Sequence, residues 1–542
     1  MLNLWYKNAV IYCVDVDAFK DSNGDGYGDF RGLTDSLDHI QALGATCIWL
    51  LPFYPTPDRD NGYDITDYYN VDPRLGTLGD FVDFMNAAND RGLRVIVDLV
   101  VNHTSIDHPW FQASRAGDAK YRDWYVWSKD KPEDAEDGII FPGVQESTWT
   151  YDQKRREYYF HRFYKHQADL NIANPQVREE IERIMGFWLQ LGVAGFRIDA
   201  VPFLIEDLSG PRSGWEPYRY LSQMHNFLAW RRAEAVMLAE ANIPMDQADA
   251  YFGDGDRMNL VFNFLLNQKL FLSFARKDAT PVAEMLKTLP PITETGQWAT
   301  FLRNHDEIDL GRLTDEEQQE AFAAFGPEKS MQVYDRGVRR RLAPMLGGDR
   351  RRIILAFSLM LALPGTPVIW YGDELGMGDD LDLPERQSVR TPMQWSSAKG
   401  GGFTTAAPKD CVRPPIAEGP YGYTHVNAEA QRMDGASVLS TVERLIKIRR
   451  SCREIGWGEF QVLDHDCPSV LALRSDWRGG TVVTLHNLAD HPVTVDLTGH
   501  LPSETTRPLL RQDIDVDVDR TDGRCVIRLG AYGFEWLRLD GA

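Results

Sequence analysis

The sequence predicts an α/β chain built as a (β/α)8 TIM barrel, with a small antiparallel β domain at its end. Three observations carry that reading. Eight short apolar runs are rich in β-branched and aromatic residues, amphipathic helical stretches lie between them, and past residue 455 short alternating runs are broken by Gly, Asp and Pro. Continuous apolar strands are expected where helices cover both faces of a sheet. Their alternation with helices indicates parallel βα units. Eight such units could also form an open doubly wound sheet, but no Gly-x-Gly-x-x-Gly follows a strand and no phosphate loop occurs.

In chain order the strands are expected at 10–16, 47–52, 94–100, 195–201, 235–241, 259–264, 298–304 and 367–373. Helices are expected at 33–43, 80–91 and 175–191, ahead of the second, third and fourth strands. The gap between the third and fourth strands is far longer than one helix and two loops require. Its part 104–171, dense in Trp, Tyr, Phe and His, reads as an inserted lobe over the strand ends, leaving 1–103 and 172–454 to the barrel. The excursion 310–348 follows the seventh strand as a helical lid, and the Gly- and Pro-rich 381–436 follows the eighth. The run 353–363 is a buried helix, about half of what a bilayer crossing needs. After a helix at 438–450, alternating runs at 469–474, 480–487, 491–497 and 524–530 mark a C-terminal β-sandwich domain at 455–542.

Of 542 residues, 43% are hydrophobic and 25% charged, the balance of a soluble globular chain. The net charge of −22 repels phosphate backbones and anionic lipid, which argues against nucleic-acid and membrane-surface partners. Basic clusters at 336–341 and 350–352 read as solvated helix faces. The six cysteines form no C-x-x-C pair and the first twelve residues lack a leader pattern, so a reducing, cytoplasmic setting is expected. A homo-oligomer is compatible with the sequence but not specified by it.

In such a barrel the chemistry sits where the strands end. The third strand ends in Asp98-Leu-Val-Val-Asn102-His103, the fourth carries Gly195-Phe-Arg197-Ile-Asp199, the fifth ends in Glu240-Ala-Asn242, and the seventh in Asn304-His305-Asp306-Glu307. Carboxylates converging on one mouth, with two histidines and an arginine, suit glycoside chemistry: one attacks the anomeric carbon while another protonates the leaving oxygen. Arg197, two residues before Asp199 and on the same strand face, is expected to hold the Asp199 carboxyl low. Glu240, after Val-Met-Leu-Ala, is expected to be raised by apolar surroundings and neighbouring carboxylates. Metal hydrolysis ranks below, since no His-x-His or His-Glu-x-x-His pattern occurs. A structural cation is the one metal expected. Asp21, Asn23, Asp25 and Asp29 occupy positions 1, 3, 5 and 9 of a calcium-type loop, with Gly26 at 6 and Tyr27 at 7, although Gly32 stands where an EF-hand has its glutamate.

These four strand-end segments resemble the signature segments of the α-amylase clan, glycoside hydrolase family 13, supported by Gln167-Ala-Asp-Leu-Asn171 and Gly365-Thr-Pro-Val-Ile-Trp-Tyr-Gly-Asp-Glu374. The resemblance implies Asp199 as nucleophile, Glu240 as acid/base and Asp306 as the carboxylate gripping sugar hydroxyls. Arg197, His103 and His305 would bind the same ring, and a covalent glucosyl-enzyme intermediate would retain configuration. Asn61-Gly-Tyr63-Asp64-Ile-Thr-Asp-Tyr resembles the α-glucosidase-like branch, in which the aspartate holds the non-reducing glucose. Val389-Arg390-Thr-Pro-Met-Gln-Trp395 resembles the segment whose arginine braces that aspartate, so small α-glucosides are the expected substrates. The resemblance supports calcium at Asp21, Asn23, Asp25 and Asp29, and implies a second site at Asn102, Asp169 and Glu206.

Within that branch, the lid runs 310–317 and 337–346 resemble the isomerases that turn maltose into trehalose by moving a glucosyl unit within the molecule. The run 206–218, on the acceptor side, departs from their pattern. Isomerase, another α-glucosyltransferase and a hydrolase of short α-glucosides therefore stay open. A catalytically idle sugar-binding protein of the same fold is a further alternative, against which the intact Asp199, Glu240 and Asp306 argue.

Overall fold

A computed structural model describes residues 3–206, 216–501, 506–511, 517–519 and 524–539. Eight parallel strands close a barrel: β1 (Ile11–Val14), β2 (Cys47–Leu50), β3 (Arg94–Leu99), β4 (Gly195–Ile198), β5 (Val236–Ala239), β6 (Leu260–Phe262), β7 (Gln297–Phe301) and β8 (Thr366–Trp370). Each pairs with its neighbour in sequence, and β8 returns to β1 with Tyr12 opposite Ile369. Every residue of β1, β2, β4 and β5 is buried, as continuous apolar runs require when helices cover the sheet. The strands occupy the eight expected places, each shorter than its apolar run.

Helices Leu78–Asp90 and Pro175–Gln190 match the sequence periodicity closely. The stretch expected as one helix at 33–43 is instead two, Phe30–Asp35 and Leu37–Leu43. The first starts early because the Asp29 side chain caps it, accepting from the Gly32 amide. At the break the Ser36 hydroxyl donates to the Gly32 carbonyl at 2.8 Å. The helix expected from the apolar run is Arg350–Ala362, buried from Ile353 onward. Among the described residues no helix is long and apolar enough to cross a membrane.

Between β3 and β4, strands His103–Ser105 and Gln167–Asp169 pair with each other, and Trp127–Ser128, Glu157–Phe160 and Trp149–Asp152 form a second small sheet. After β7 the excursion holds helix Asp315–Phe325, started by a capping box between Thr314 and Glu317. It also holds a three-stranded sheet of Ile308–Asp309, Gly337–Val338 and Gln332–Val333 that the helical expectation omitted. Beyond helix Val438–Ser451, five strands form one antiparallel sheet and three form another. The larger sheet docks on helix Arg350–Ala362, where the Ser358 hydroxyl accepts from Trp536 Nε1 at 2.9 Å and meets the His486 ring at 2.9 Å. None of the six cysteines is joined in a disulfide.

Candidate active site

The barrel mouth is organised around one guanidinium. Arg197 lies on β4, 1% exposed. Its Nη1 meets Asp98 at 2.8 Å and Asp199 at 2.6 Å, and its Nη2 meets Glu240 at 2.9 Å. Asp98 comes from β3, Asp199 follows the last residue of β4 and Glu240 follows that of β5. Parallel pairing sets this convergence, since Asp98 is level with Arg197, and Arg197 with Leu238. Ala200, at φ +51°, turns the chain so that its amide donates to Glu240 Oε2 at 2.9 Å.

Asp306 approaches from β7 and is held by three cationic or polar neighbours. Arg386 reaches it at 2.7 Å, Arg390 at 2.9 Å and His305 at 3.2 Å. Tyr63 closes the ring of contacts, its hydroxyl 3.0 Å from Asp98 and 2.7 Å from His305 Nε2, with its ring stacked on the His305 imidazole at 5.6 Å. His103 Nε2 lies 3.1 Å from the Tyr63 carbonyl.

A family model for the α-amylase catalytic domain matches residues 14–458, and one for a sucrose hydrolase-like C-terminal domain matches 479–538. The chain belongs to the α-amylase family. It is 44% identical to a trehalose synthase/amylase of Mycolicibacterium smegmatis, over 99% of this chain and 92% of that protein. It is 42% identical to a trehalose synthase of Thermus thermophilus over 99% of this chain, spanning 56% of that longer relative. The crystal structure of an isomaltulose synthase from Klebsiella superposes with a TM-score of 0.80 at 26% identity, covering 99% of each chain.

The charges at this family's barrel mouth separate the two strand-end carboxyls only slightly. Burial raises Glu240 to about 7, with Arg197 opposing and Asp199 and Asp306 adding to the rise. Burial also raises Asp199, to about 6, against the pull of Arg197. The expected depression of Asp199 is therefore corrected: one guanidinium shared among three carboxylates cannot offset the desolvation of each. For Asp306 the balance reverses. Burial would raise it, but His305, Arg386, Arg390 and Arg197 together hold it well below the carboxylate range. Burial lowers the His103 imidazole to about 3 and keeps it neutral.

The pairing expected at the donor end is not formed. Asp64 is fully buried and accepts from the Thr56 hydroxyl at 2.8 Å and the Arg59 and Asp60 amides at 3.3 Å. Arg390 does not brace it, since its guanidinium serves Asp306 and the His305 carbonyl. The pair that spans this wall is Asp60 with Arg386, at 3.0 Å, and Gln167 adds an amide at 2.9 Å from Asp60. Asp60 and Asp64 are four residues apart in one turn, and their order alone does not say which side chain faces the mouth. Arg386 carried a weak signal, four residues before Arg390 and close enough in sequence to act on the same carboxylate.

The Asp21 loop folds on itself. Asp21 accepts from the Asn23, Gly24 and Gly26 amides at 3.0, 2.6 and 2.9 Å, while Asp25 accepts from the Tyr27 amide at 2.8 Å. Asp29 accepts from Ser22 and caps the next helix. Among the described residues no three His, Cys, Asp or Glu side chains gather as a metal would require. At the second expected site Asn102 donates to Asp169 at 3.0 Å, but Glu206 is 2.5 Å from the Arg162 guanidinium. An organic cation thus supplies positive charge where a divalent ion was expected. At this second place the residues present fit a calcium ion poorly.

Beyond Glu240 and Asp306 the mouth opens into a cavity of about 610 Å³, walled in part by Phe141, Phe203, Asn242, Tyr251, Arg312 and Arg386. Of the acceptor-side run 206–218 that departs from the isomerase pattern, residues 207–215 lie outside the described residues.

Proposed function

We propose that the protein is a retaining α-glucosyl-transferring enzyme that isomerises maltose to trehalose. The observation that carries this reading is the fork of Arg197 holding Asp199 and Glu240 side by side, with Asp306 fixed opposite by Arg386 and Arg390. Asp199 attacks the anomeric carbon and Glu240 protonates the departing glucose oxygen, giving a glucosyl ester on Asp199. Glu240 then takes a proton from the anomeric hydroxyl of the retained glucose, which attacks the ester and frees Asp199. Asp306 accepts from sugar hydroxyls, while neutral His103 and His305 and the Tyr63 face line the same ring. The Asp60–Arg386 pair ends the donor pocket, which favours a disaccharide over a polymer. The trehalose synthase relatives support the choice of sugars.

Incubation with maltose and resolution of the products tests this. Trehalose accumulating ahead of glucose is expected, and glucose without trehalose rejects the isomerase reading in favour of a hydrolase. The second reading, partial hydrolysis of short α-glucosides, is favoured by the relative whose name joins synthase with amylase.

The reading extends to a cytoplasmic setting and to small α-glucosides as substrates. Calcium at Asp21, Asn23, Asp25 and Asp29 rests on ligand spacing and on the family resemblance. It requires that chelation by EDTA lower the melting temperature, and an unchanged melting temperature with no metal found by elemental analysis rejects it.

A further inference from the structure

We propose that Glu385 is a positioning residue that sets how the glucosyl unit is divided between a sugar acceptor and water, an inference that rests on the glucosyl-transfer reading above. Three excursions from the barrel meet at its carboxylate. The Tyr334 hydroxyl, from the excursion after β7, donates to Glu385 Oε2 at 2.5 Å. The Tyr164 hydroxyl, from the lobe between β3 and β4, donates to the same oxygen, and the two hydroxyls lie 3.1 Å apart. Glu385 itself belongs to the excursion after β8. Two hydroxyls on one carboxylate make a charge-assisted clasp between segments that share no other secondary structure.

The clasp stands behind the acceptor cavity. Phe141, on the cavity wall, packs against Tyr164 at 4.6 Å and Tyr334 at 4.7 Å between ring centres, under the Arg386 guanidinium at 5.1 Å. Glu385 sits at φ +42°, a left-handed conformation that costs a non-glycine residue free energy and persists only where its surroundings enforce it. Here Arg339 enforces it, donating to the Leu381 carbonyl at 2.9 Å and to that of Leu383. The next residue, Arg386, grips both Asp306 and Asp60. One strained turn therefore fastens the cavity wall with one side chain and orients the third carboxylate with the other.

The chemistry at stake is a competition for the Asp199 ester. If a sugar hydroxyl attacks, its oxygen bonds to the anomeric carbon, its proton passes to Glu240 and the ester bond to Asp199 breaks, giving a disaccharide. If water attacks by the same proton route, the product is glucose. A wall held shut favours the retained sugar by excluding water during the lifetime of the ester.

The test is the product ratio from maltose in Glu385→Ala and in the milder Tyr334→Phe, with Glu385→Gln as the conservative variant. The ratio of glucose released to disaccharide formed is expected to rise about five- to tenfold in Glu385→Ala, the scale of one net hydrogen bond lost from the wall. A smaller rise is expected in Tyr334→Phe, and Glu385→Gln should recover part of the partition by keeping one acceptor oxygen. An unchanged ratio in both Glu385→Ala and Tyr334→Phe, whatever the total rate, overturns the inference. If the wild-type protein forms no trehalose, the isomerase reading fails separately. The partition is then read with glycerol as acceptor, as glycerol glucoside against glucose, under the same criteria.

Discussion

At the scale of the residue, burial opposed by one shared guanidinium sets the working range. On the glucosyl-transfer reading the free protein must hold Asp199 ionised and Glu240 protonated. Asp199 is raised to about 6 and Glu240 to about 7, so Asp199 is competent above the first value and Glu240 below the second. A narrow bell in kcat/KM against pH is expected, with limbs near 6 and 7 belonging to the coupled pair. A flat profile from pH 5 to 8 contradicts that arrangement. Glu240→Gln should lower kcat on maltose about 10²–10⁴-fold, measured by product formation, since the proton donor to a poor leaving group is lost. Most of these residues were legible in the sequence because each terminates an apolar strand run, and polar side chains there have few structural duties. The resemblance pairs Asp64 with Arg390, but it does not say which of two carboxylates in one turn faces the mouth. Thr56 and two loop amides claim Asp64, and Asp60 faces the arginine instead.

At the scale of the element, the barrel strands were readable from their unbroken apolar character, whereas the helix over 33–43 was not. Its period continues through Ser36, but the caps at Asp29 and the Ser36 hydroxyl bond divide it. One glycine shows how tightly strand position and chemistry are joined. Gly195 opens β4 at φ +148°, and a Cβ there would stand 2.2 Å from the Val236 carbonyl oxygen of β5. Gly195→Ala should therefore push β4 from β5, costing about 2–4 kcal/mol by denaturant unfolding. It should lower turnover as well, because Arg197 is carried two residues along the same strand. A variant that keeps both stability and turnover would show that the two strands have slack the packing does not suggest.

At the scale of the whole molecule, the C-terminal sheet is part of the barrel's support. Trp536 is fully buried against helix Arg350–Ala362, its indole nitrogen bonded to Ser358. Trp536→Ala should destabilise the chain by about 3–5 kcal/mol, read as a fall in melting temperature, with the barrel and sheet unfolding together. Separate transitions would mean that the two parts fold independently. The division into barrel and β domain was visible as a change of period from helical to alternating. The sheet in the excursion after β7 was not, because strands of two residues leave no periodic trace. Which side chains the three excursions exchange at the mouth was equally hidden, since those contacts join positions 51 to 221 residues apart, such as Tyr334 or Tyr164 with Glu385.

The shared fork of Arg197 has a further consequence once Asp199 is esterified. The ester carries no charge, so the repulsion that Asp199 exerts on Glu240 vanishes while the attraction of Arg197 stays. Glu240, having given its proton to the departing glucose, then stays ionised and free to act as the base, and its pKa rises again when the ester breaks. The alternation of duties between the two half-reactions is thus driven by the covalent state of its neighbour, with no moving part.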